Sequence, residues 1–227
     1  MKKNIILLMT AVFGVFVLAG CSEDDLNKTS AVLDSPTVEN DFDRWLAKNY
    51  MEPYNIDFKY RFKDVLGDMD YNLTPADYGQ AIKLAKLTLH LTLQVYDEVT
   101  GSRQFISENF PKIVHVIGSP AYNENNNIVL GVAEGGKMMT LYQVNIIDYL
   151  LNTKDIDQLN ELFFKTMHHE FGHILHQTRP YSTDFNAVTP SSYVGDACFD
   201  TYRTDAAARQ AGFITRYSSK APDEDFV

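Results

Sequence analysis

The sequence predicts one domain of the α+β class, and three of its features support that prediction. Residues 56–62 alternate apolar and polar side chains, as a half-buried strand does. Residues 74–98 instead repeat apolar side chains at helical spacing around most of the circumference, which predicts a buried helix. A second apolar helix is predicted from Asp155 onward. Beyond the first 20 residues, about 200 remain, which is enough for one well-buried domain.

The first 20 residues have the order of a lipoprotein signal peptide. Two lysines precede an uncharged run from Ile5 to Leu18, and small residues lead from there to Cys21. The run is short for a transmembrane helix, and an uncleaved N-terminal anchor is the alternative. The letters LAGC at 18–21 resemble a bacterial lipobox, and this resemblance implies that Cys21 becomes the lipidated first residue of the mature protein.

Residues 21–40 are predicted to form a flexible acidic tether. They are polar, they lack apolar periodicity, and the letters SEDD follow Cys21 directly. Such an acidic run after the cysteine resembles the surface-export signal of some Gram-negative lipoproteins. The resemblance implies an outer-membrane lipoprotein that is exposed at the cell surface and held to the membrane by the lipid on Cys21.

The acidic charge of the chain argues against polyanionic partners, namely nucleic acids and anionic lipid surfaces. The sequence contains 20 basic and 30 acidic residues, which gives a net charge of −10. Removal of residues 1–20 takes away two lysines and makes the balance more acidic. Nucleic acids and anionic lipid surfaces both require a basic face on the protein. We therefore expect neither to bind this domain.

The predicted domain spans residues 41–227. Thr74-Pro75 supplies a capping hydroxyl and a first-turn proline for the long helix. Asp155 and Gln158 form a predicted capping box for the second apolar helix. The elements before that second helix are, in order, a helix over residues 43–50, a strand over 56–62, a helix over 74–98, and strands over 112–118, 128–133 and 137–145.

The second apolar helix carries a motif that predicts a metal site. His169 and His173 are four positions apart, so a helix places both imidazoles on one side. Two such ligands on one rigid element can bind a single zinc ion. Glu170 projects about 100° away around the helix, where it can reach water beside the metal. This HExxH motif is typical of zinc-assisted hydrolysis with the carboxylate as general base. A solvated histidine face is the alternative.

A catalytic zinc site needs a third protein ligand. His176 continues the same stripe, but along a straight helix its backbone lies about 10 Å from that of His169, which favours an outer or exposed position. His168 points to a different face. The metzincin motif is excluded, because it needs Gly at 176 and His at 179, where this chain has His176 and Arg179. The downstream carboxylates that remain as candidates are Asp184, Asp196, Asp200, Asp205, Asp223, Glu224 and Asp225.

The end of the sequence resembles the ligand helix of gluzincin metallopeptidases. Pro222 and the acids after it suit the first turn of a helix. The letters EDFV at 224–227 resemble the start of the helix on which gluzincins carry a ligand glutamate. By that resemblance Glu224 is the third zinc ligand, and Tyr217 stabilises the oxyanion. The alternatives are an acid that only interacts with the helix dipole and a tyrosine that only packs.

Three stretches together resemble one family, the lipoproteins known as substrate import-associated zinc metallohydrolases or zinc-binding metallopeptidases. They are the LAGC segment with its acidic run, HHEFGHILHQ and GFITRYSSKAPDEDFV. The resemblance implies a zincin-like fold with a mixed sheet and an HExxH active-site helix, a Zn²⁺ cofactor, and a place beside nutrient-import machinery. The expected activity is hydrolysis of a peptide or protein substrate with Glu170 as general base. The alternative is a non-catalytic accessory lipoprotein that binds peptide or glycan and has a degenerate metal site.

Two structural expectations follow from this resemblance. In a zincin-like fold an edge strand should run above the metal cleft and pair with an extended substrate. Residues 137–145 are the candidate, with an ordinary interior strand as the alternative. The sequence stops three residues after Glu224, so we expect a catalytic domain truncated at its C-terminus. A helix of one turn should hold a zinc ligand badly.

Overall fold

A computed structural model of the protein describes residues 39–67, 70–122, 128–188 and 192–227. The predicted signal peptide, Cys21 and the tether up to residue 38 lie outside the described residues. Asn40, the last residue of the predicted tether, belongs to the folded domain. Its side chain accepts a 2.9 Å hydrogen bond from the Asp43 N–H, and the Asp43 carboxylate accepts one of 2.8 Å from the Asn40 N–H. This reciprocal pair caps the first helix.

Helices make up about half of the described chain, and three of them continue through a π-type segment. The helices, with consecutive segments joined under one name, are α1 (Asp41–Leu46, Ala47–Met51, Glu52–Tyr54), α2 (Tyr78–Thr88, Leu89–Leu93, Gln94–Thr100), α3 (Gln104–Asn109), α4 (Ile147–Thr153), α5 (Ile156–Leu159, Asn160–Phe164, Lys165–Thr178), α6 (Cys198–Thr201), α7 (Asp205–Gln210) and α8 (Pro222–Phe226). The 3₁₀ turns are Asp64–Leu66, Val144–Ile146, Thr183–Ala187, Gly195–Ala197 and Tyr217–Ser219.

The strands form one mixed sheet and one small hairpin. The four-stranded sheet has the order β1-β2-β6-β5, with parallel pairing of β1 to β2 and of β2 to β6 and antiparallel pairing of β5 to β6. Strands β3 and β4 pair only with each other, antiparallel. The strands are β1 (Asp57–Lys59), β2 (Ile113–Val116), β3 (Ala121–Tyr122), β4 (Ile128–Val129), β5 (Gly131–Glu134) and β6 (Met138–Leu141). The domain therefore has the predicted α+β class.

Strand β6 is an interior strand, so the expectation that residues 137–145 supply the edge of the sheet is wrong. All four residues of β6 are buried, as is typical of a strand with neighbours on both sides. Gly135 and Gly136 have positive φ angles of 53° and 70°, and they form the tight turn between β5 and β6. The antiparallel partner β5 thus takes the edge position and contacts helix α5.

The long helix α2 begins three residues later than predicted. Its N-cap is Asp77, whose carboxylate accepts a 3.1 Å hydrogen bond from the Gln80 N–H. Pro75 instead makes an antiparallel bridge with Ile117. A proline near a helix start can lie in the first turn or before the helix. Here the bridge to Ile117 places Pro75 before the helix.

The main core lies between one face of the sheet and the long helices. Helix α5 contributes Met167 and Phe171, both fully buried, and β2 and β6 contribute Val114 and Met139. Each such side chain stabilises the fold by about 1.5–3 kcal/mol relative to an exposed position. This packing fixes the rotation of α5 about its axis, and therefore fixes the direction in which its histidines point.

Within the described ranges, no helix combines the length and the apolar character needed to cross a bilayer.

Candidate metal centre

Helix α5 presents the two histidines of the HExxH motif on a half-buried face. Asp155 caps its N-terminus, because the Asp155 carboxylate accepts a 3.0 Å hydrogen bond from the Gln158 N–H. The second half of the predicted capping box is absent from this helix, since the Asp155 N–H donates to the Leu150 carbonyl at 3.0 Å. The apolar face of the helix is buried in the core, and the side chains of His169 and His173 are each 25% exposed. Both imidazoles therefore lie at the boundary between core and solvent.

Glu224 of helix α8 meets the two histidines. Its Oε2 atom lies 3.1 Å from His169 Nε2 and 3.2 Å from His173 Nε2, and the two Nε2 atoms are 3.1 Å apart. In the part of the chain that the structure describes, these residues form a group of three whose ligand atoms all lie within 4.8 Å of one another. The side chain of Glu224 is 15% exposed. The glutamate that the gluzincin resemblance implied as third ligand thus faces both imidazoles.

The triangle of donor atoms fits a zinc ion. Ligand atoms about 2.0–2.2 Å from a tetrahedral zinc ion are separated from one another by about 3.3–3.6 Å. The observed separations of 3.1–3.2 Å differ from that range by only a few tenths of an ångström. Two imidazoles and one carboxylate are a donor set that zinc prefers, and they leave its fourth position open to water or substrate. Magnesium and calcium prefer sites made of oxygen donors alone.

Glu170 lies beside the edge strand β5, next to the metal-binding residues. The Ala133 N–H of β5 donates to its carboxylate, and both His173 and Glu224 act on it electrostatically. Burial raises the pKa of Glu170 above its ordinary value, and the negative charge of Glu224 adds to this increase. A carboxyl group with a raised pKa is a stronger base when ionised, which suits it to take a proton from water.

Tyr217 lies on the other side of Glu224. Its hydroxyl donates a 3.0 Å hydrogen bond to Glu224 Oε1, and its ring centroid lies 5.8 Å from that of His169. Lys220 Nζ is 3.7 Å from the same Glu224 oxygen. Burial raises the pKa of Tyr217, and the adjacent Glu224 charge raises it further. The hydroxyl therefore stays protonated and orients the carboxylate so that Oε2 faces the imidazoles.

The one-turn helix α8 is held by contacts on both sides of Glu224. Tyr181 donates a 3.2 Å hydrogen bond to Asp223 Oδ1, and Tyr193 donates one of 2.9 Å to Asp225 Oδ2. Phe226 stacks on Tyr181 with a centroid distance of 4.5 Å. These side chains supply the packing that the sequence analysis expected such a short helix to lack. Its stability comes from tertiary contacts rather than from helix length.

Val227 contacts α5 inside the HExxH motif itself. A Cβ atom placed on Gly172 would lie 2.9 Å from Val227 Cγ1, closer than carbon atoms normally approach. Glycine at this position therefore lets the segment that carries Glu224 approach the two histidines. The sequence contained a signal for this contact, because an isolated glycine inside an apolar helix usually has a packing reason. This contact and the roles of Tyr181 and Tyr193 were not predicted from the sequence.

The other two histidines of α5 lie outside the donor triangle. His168 points to a different face, as predicted, where its Nδ1 is 2.9 Å from the Tyr96 hydroxyl. Burial lowers the pKa of His168. His176 stacks on Tyr181 at a centroid distance of 4.4 Å, and its Nε2 lies 3.6 Å from Asp223 Oδ1. It thus contacts the neighbours of Glu224, which is the outer position that the helix geometry predicted.

A mixed sheet with an adjacent His-His-Glu cluster is an arrangement suited to a zinc-binding protein of the hydrolase class. Residues 35–227 match the family described as "Putative zinc-binding metallo-peptidase". A crystal structure described as a "putative zinc-binding metallo-peptidase" from Bacteroides caccae is 39% identical to this chain, with a TM-score of 0.65. That match covers 81% of this chain and 67% of the other. No curated protein matches the sequence. The chain belongs to this family of zinc-binding metallopeptidases, so the resemblance predicted from the sequence is confirmed.

Proposed function

We propose that the protein is a zinc-dependent metallopeptidase with a zincin-like fold, which hydrolyses peptide bonds in peptide or protein substrates. The observation that carries the proposal is the donor triangle, in which His169 Nε2, His173 Nε2 and Glu224 Oε2 lie 3.1–3.2 Å apart. His173 and Glu224 are 51 positions apart in the sequence and lie on two separate helices, α5 and α8. Burying a carboxylate costs desolvation free energy, and a bound metal ion would compensate for that cost. The cluster is therefore better explained as a metal site than as a chance contact.

The roles of the residues follow from their positions. His169, His173 and Glu224 would hold Zn²⁺, which supplies Lewis acidity that polarises a carbonyl and makes water more acidic. Glu170 takes the proton from the attacking water and delivers it to the nitrogen of the leaving amine. Its half-buried position and raised pKa suit both transfers. Tyr217 holds Glu224 in the resting site, and its hydroxyl can donate to the oxyanion that develops on the substrate carbonyl.

Strand β5 is the element against which an extended substrate can lie. The Tyr142 N–H donates to the Leu130 carbonyl, which makes these two residues a hydrogen-bonded pair across the β5–β6 ladder. In an antiparallel ladder, hydrogen-bonded pairs alternate with pairs that are not hydrogen-bonded. Gly131 and Ala133 therefore belong to the second kind, and their backbone N–H and C=O groups point toward the free edge of the sheet. A peptide added along that edge would pass beside Glu170, to which the Ala133 N–H already donates. The edge-strand role proposed for residues 137–145 therefore passes to β5.

The location of the protein is part of the same proposal. The signal peptide at residues 1–20, the LAGC segment and the acidic run after Cys21 support a lipid-anchored protein of the outer membrane, exposed at the cell surface. A surface lipoprotein of this kind would act beside a nutrient importer and deliver peptide fragments to it. Labelling with a lipid precursor tests the anchor, because Cys21→Ser should abolish incorporation of the label.

Zinc content and peptide cleavage, measured together, test the proposed activity. The wild-type protein should bind one zinc ion per chain and cleave peptides from a mixed library, detected by mass spectrometry. Glu170→Gln should keep the zinc and lose cleavage, because the amide cannot accept the proton. Glu161→Gln is the matched control, since Glu161 is an exposed residue of the same helix that pairs with Lys165.

Two outcomes would change the conclusion. If Glu170→Gln retained turnover, Glu170 would not be the general base. If the wild-type protein bound zinc and peptide without cleavage, the non-catalytic accessory lipoprotein would be the better description. The distances favour the enzyme, because Glu224 lies close to both imidazoles and completes the donor set.

A further inference from the structure

Phe199 is an exposed aromatic residue next to the metal centre. Its side chain is 50% exposed, which makes it the most exposed phenylalanine among the described residues. Most other phenylalanines in the described domain are buried or half-buried, with Phe226 at 45% the other exception. Phe226 differs in its surroundings, because it lies against three aromatic rings, those of Tyr181, Phe185 and His176. Phe199 lies on the short helix α6, in which Cys198 is the buried residue and Phe199 faces outward.

Two ring contacts connect Phe199 to the metal-binding histidines. The Phe199 ring stacks on Tyr217 with a centroid distance of 6.2 Å and an interplanar angle of 30°. The Tyr217 ring lies 5.8 Å from that of His169. Phe199 therefore lies no more than about 12 Å from a zinc-binding imidazole. An extended peptide advances about 3.4 Å per residue, so this upper bound corresponds to between about three and four residues.

The environment of Phe199 fixes its position and leaves part of it open. The Arg216 guanidinium lies 5.1 Å from the centre of the Phe199 ring. Asp205 holds that arginine, since its Oδ1 accepts hydrogen bonds from the Arg216 N–H at 2.9 Å and from Nε at 3.4 Å. The guanidinium charge is thus already paired. Tyr217 and Arg216 orient the ring, and half of its surface still faces solvent.

We propose that Phe199 and Tyr217 form the wall of a substrate subsite that binds an aromatic side chain within about four residues of the scissile peptide bond. The inference rests on the proposed function, because it treats the metal centre as the place where the peptide is held. An aromatic side chain is the class that fits best, since an edge-to-face contact with the exposed part of Phe199 adds to the gain from burying apolar surface.

A binding experiment that does not depend on turnover tests the subsite. The zinc-loaded Glu170→Gln protein is titrated calorimetrically with blocked hexapeptides in which a single phenylalanine is moved through an alanine background. One placement should bind about threefold to tenfold more tightly than the all-alanine peptide. Phe199→Ala should reduce that advantage to less than twofold, measured against the affinity of the same variant for the all-alanine peptide. Phe199→Tyr should retain the advantage, because it keeps the aromatic face.

Tyr149→Ala is the matched control, since Tyr149 is an exposed aromatic residue of helix α4 that lies outside the site. It should leave the phenylalanine advantage intact. The subsite is refuted if no placement of phenylalanine strengthens binding, or if the advantage survives in Phe199→Ala. Cleavage of the same peptides by the wild-type protein is a separate measurement. A phenylalanine advantage without cleavage would refute the peptidase and keep the subsite.

Discussion

Gly172 is the position at which the C-terminal segment touches the metal-binding helix, and replacing it tests how the site is closed. A Cβ atom there would lie 2.9 Å from Val227 Cγ1 and 3.3 Å from Val227 Cγ2. Rotation of the Val227 side chain about χ1 cannot relieve both contacts. Its Cβ carries two methyl groups and one hydrogen, so at least one methyl group always faces the added Cβ atom. Restoring an ordinary carbon contact of about 3.5 Å requires a shift of about 0.6 Å. We expect Gly172→Ala to displace helix α8 by that amount.

A displacement of this size matters more for zinc affinity than for folding. Zinc sites tolerate deviations of only about 0.2 Å in ligand distance, so Gly172→Ala should weaken zinc binding by about tenfold, as changes around metal ligands commonly do. The same substitution favours the helix by about 1 kcal/mol, because alanine is the better helix former. The thermal midpoint of the metal-free protein should therefore stay equal to that of the wild type or rise. Competition with a chromophoric chelator measures the affinity, and calorimetry measures the midpoint.

The double variant Gly172→Ala/Val227→Ala provides the control. The Cβ atom of Val227 lies 3.5 Å from the position that the added methyl would occupy, which is an ordinary contact. The pair should therefore recover most of the zinc affinity relative to Val227→Ala alone. The reasoning is refuted if Gly172→Ala binds zinc as tightly as the wild type, or if the double variant stays as weak as Gly172→Ala.

Three further predictions concern single residues. Tyr217→Phe should weaken zinc binding by about threefold to tenfold, measured by chelator competition, because Glu224 loses a hydrogen-bond donor; unchanged affinity with reduced kcat would assign Tyr217 to the oxyanion alone. Tyr193→Phe should weaken zinc binding by a smaller factor, because it frees one flank of α8; equal affinity in the same titration would contradict this. Burial lowers the pKa of His115 below its ordinary value of 6.5, so the unfolded chain binds the proton more readily. Its contribution to stability is complete above about pH 6.5 and falls as the pH drops below that value. Urea unfolding at pH 7.5 and 5.5 should show this decline in the wild type and a smaller one in His115→Phe.

The local features of the site were predictable from the sequence. A spacing of four residues in a helix dictates that His169 and His173 share a face, and an acid before an apolar run dictates a capped start at Asp155. Pro222 and the acids after it predicted the start of α8, and the structure places that helix at Pro222–Phe226. Each of these features depends on neighbours within one helical turn, so a single sequence contains the necessary information.

Features that depend on distant contacts were not predictable in the same way. Spacing alone left seven acids as candidates for the third ligand, and only a family resemblance singled out Glu224. Strand order was equally inaccessible, because the pattern of β6 fits an edge or an interior position until β2 is paired with it. The start of α2 was wrongly predicted at Thr74-Pro75. The bridge that takes Pro75 out of the helix joins it to Ile117, 42 positions away, and local sequence contains no signal for such a contact.

The attachment of α8 links metal occupancy to local order. Glu224 reaches the histidines only when the tyrosine contacts and the Gly172 contact are in place, so any ion that binds all three donors must also stabilise that segment. Amide hydrogens of residues 222–227 should therefore exchange with solvent more slowly after loading. The chain would therefore bind its ion only after α8 has docked, which makes metal capture a late step in the folding of this domain.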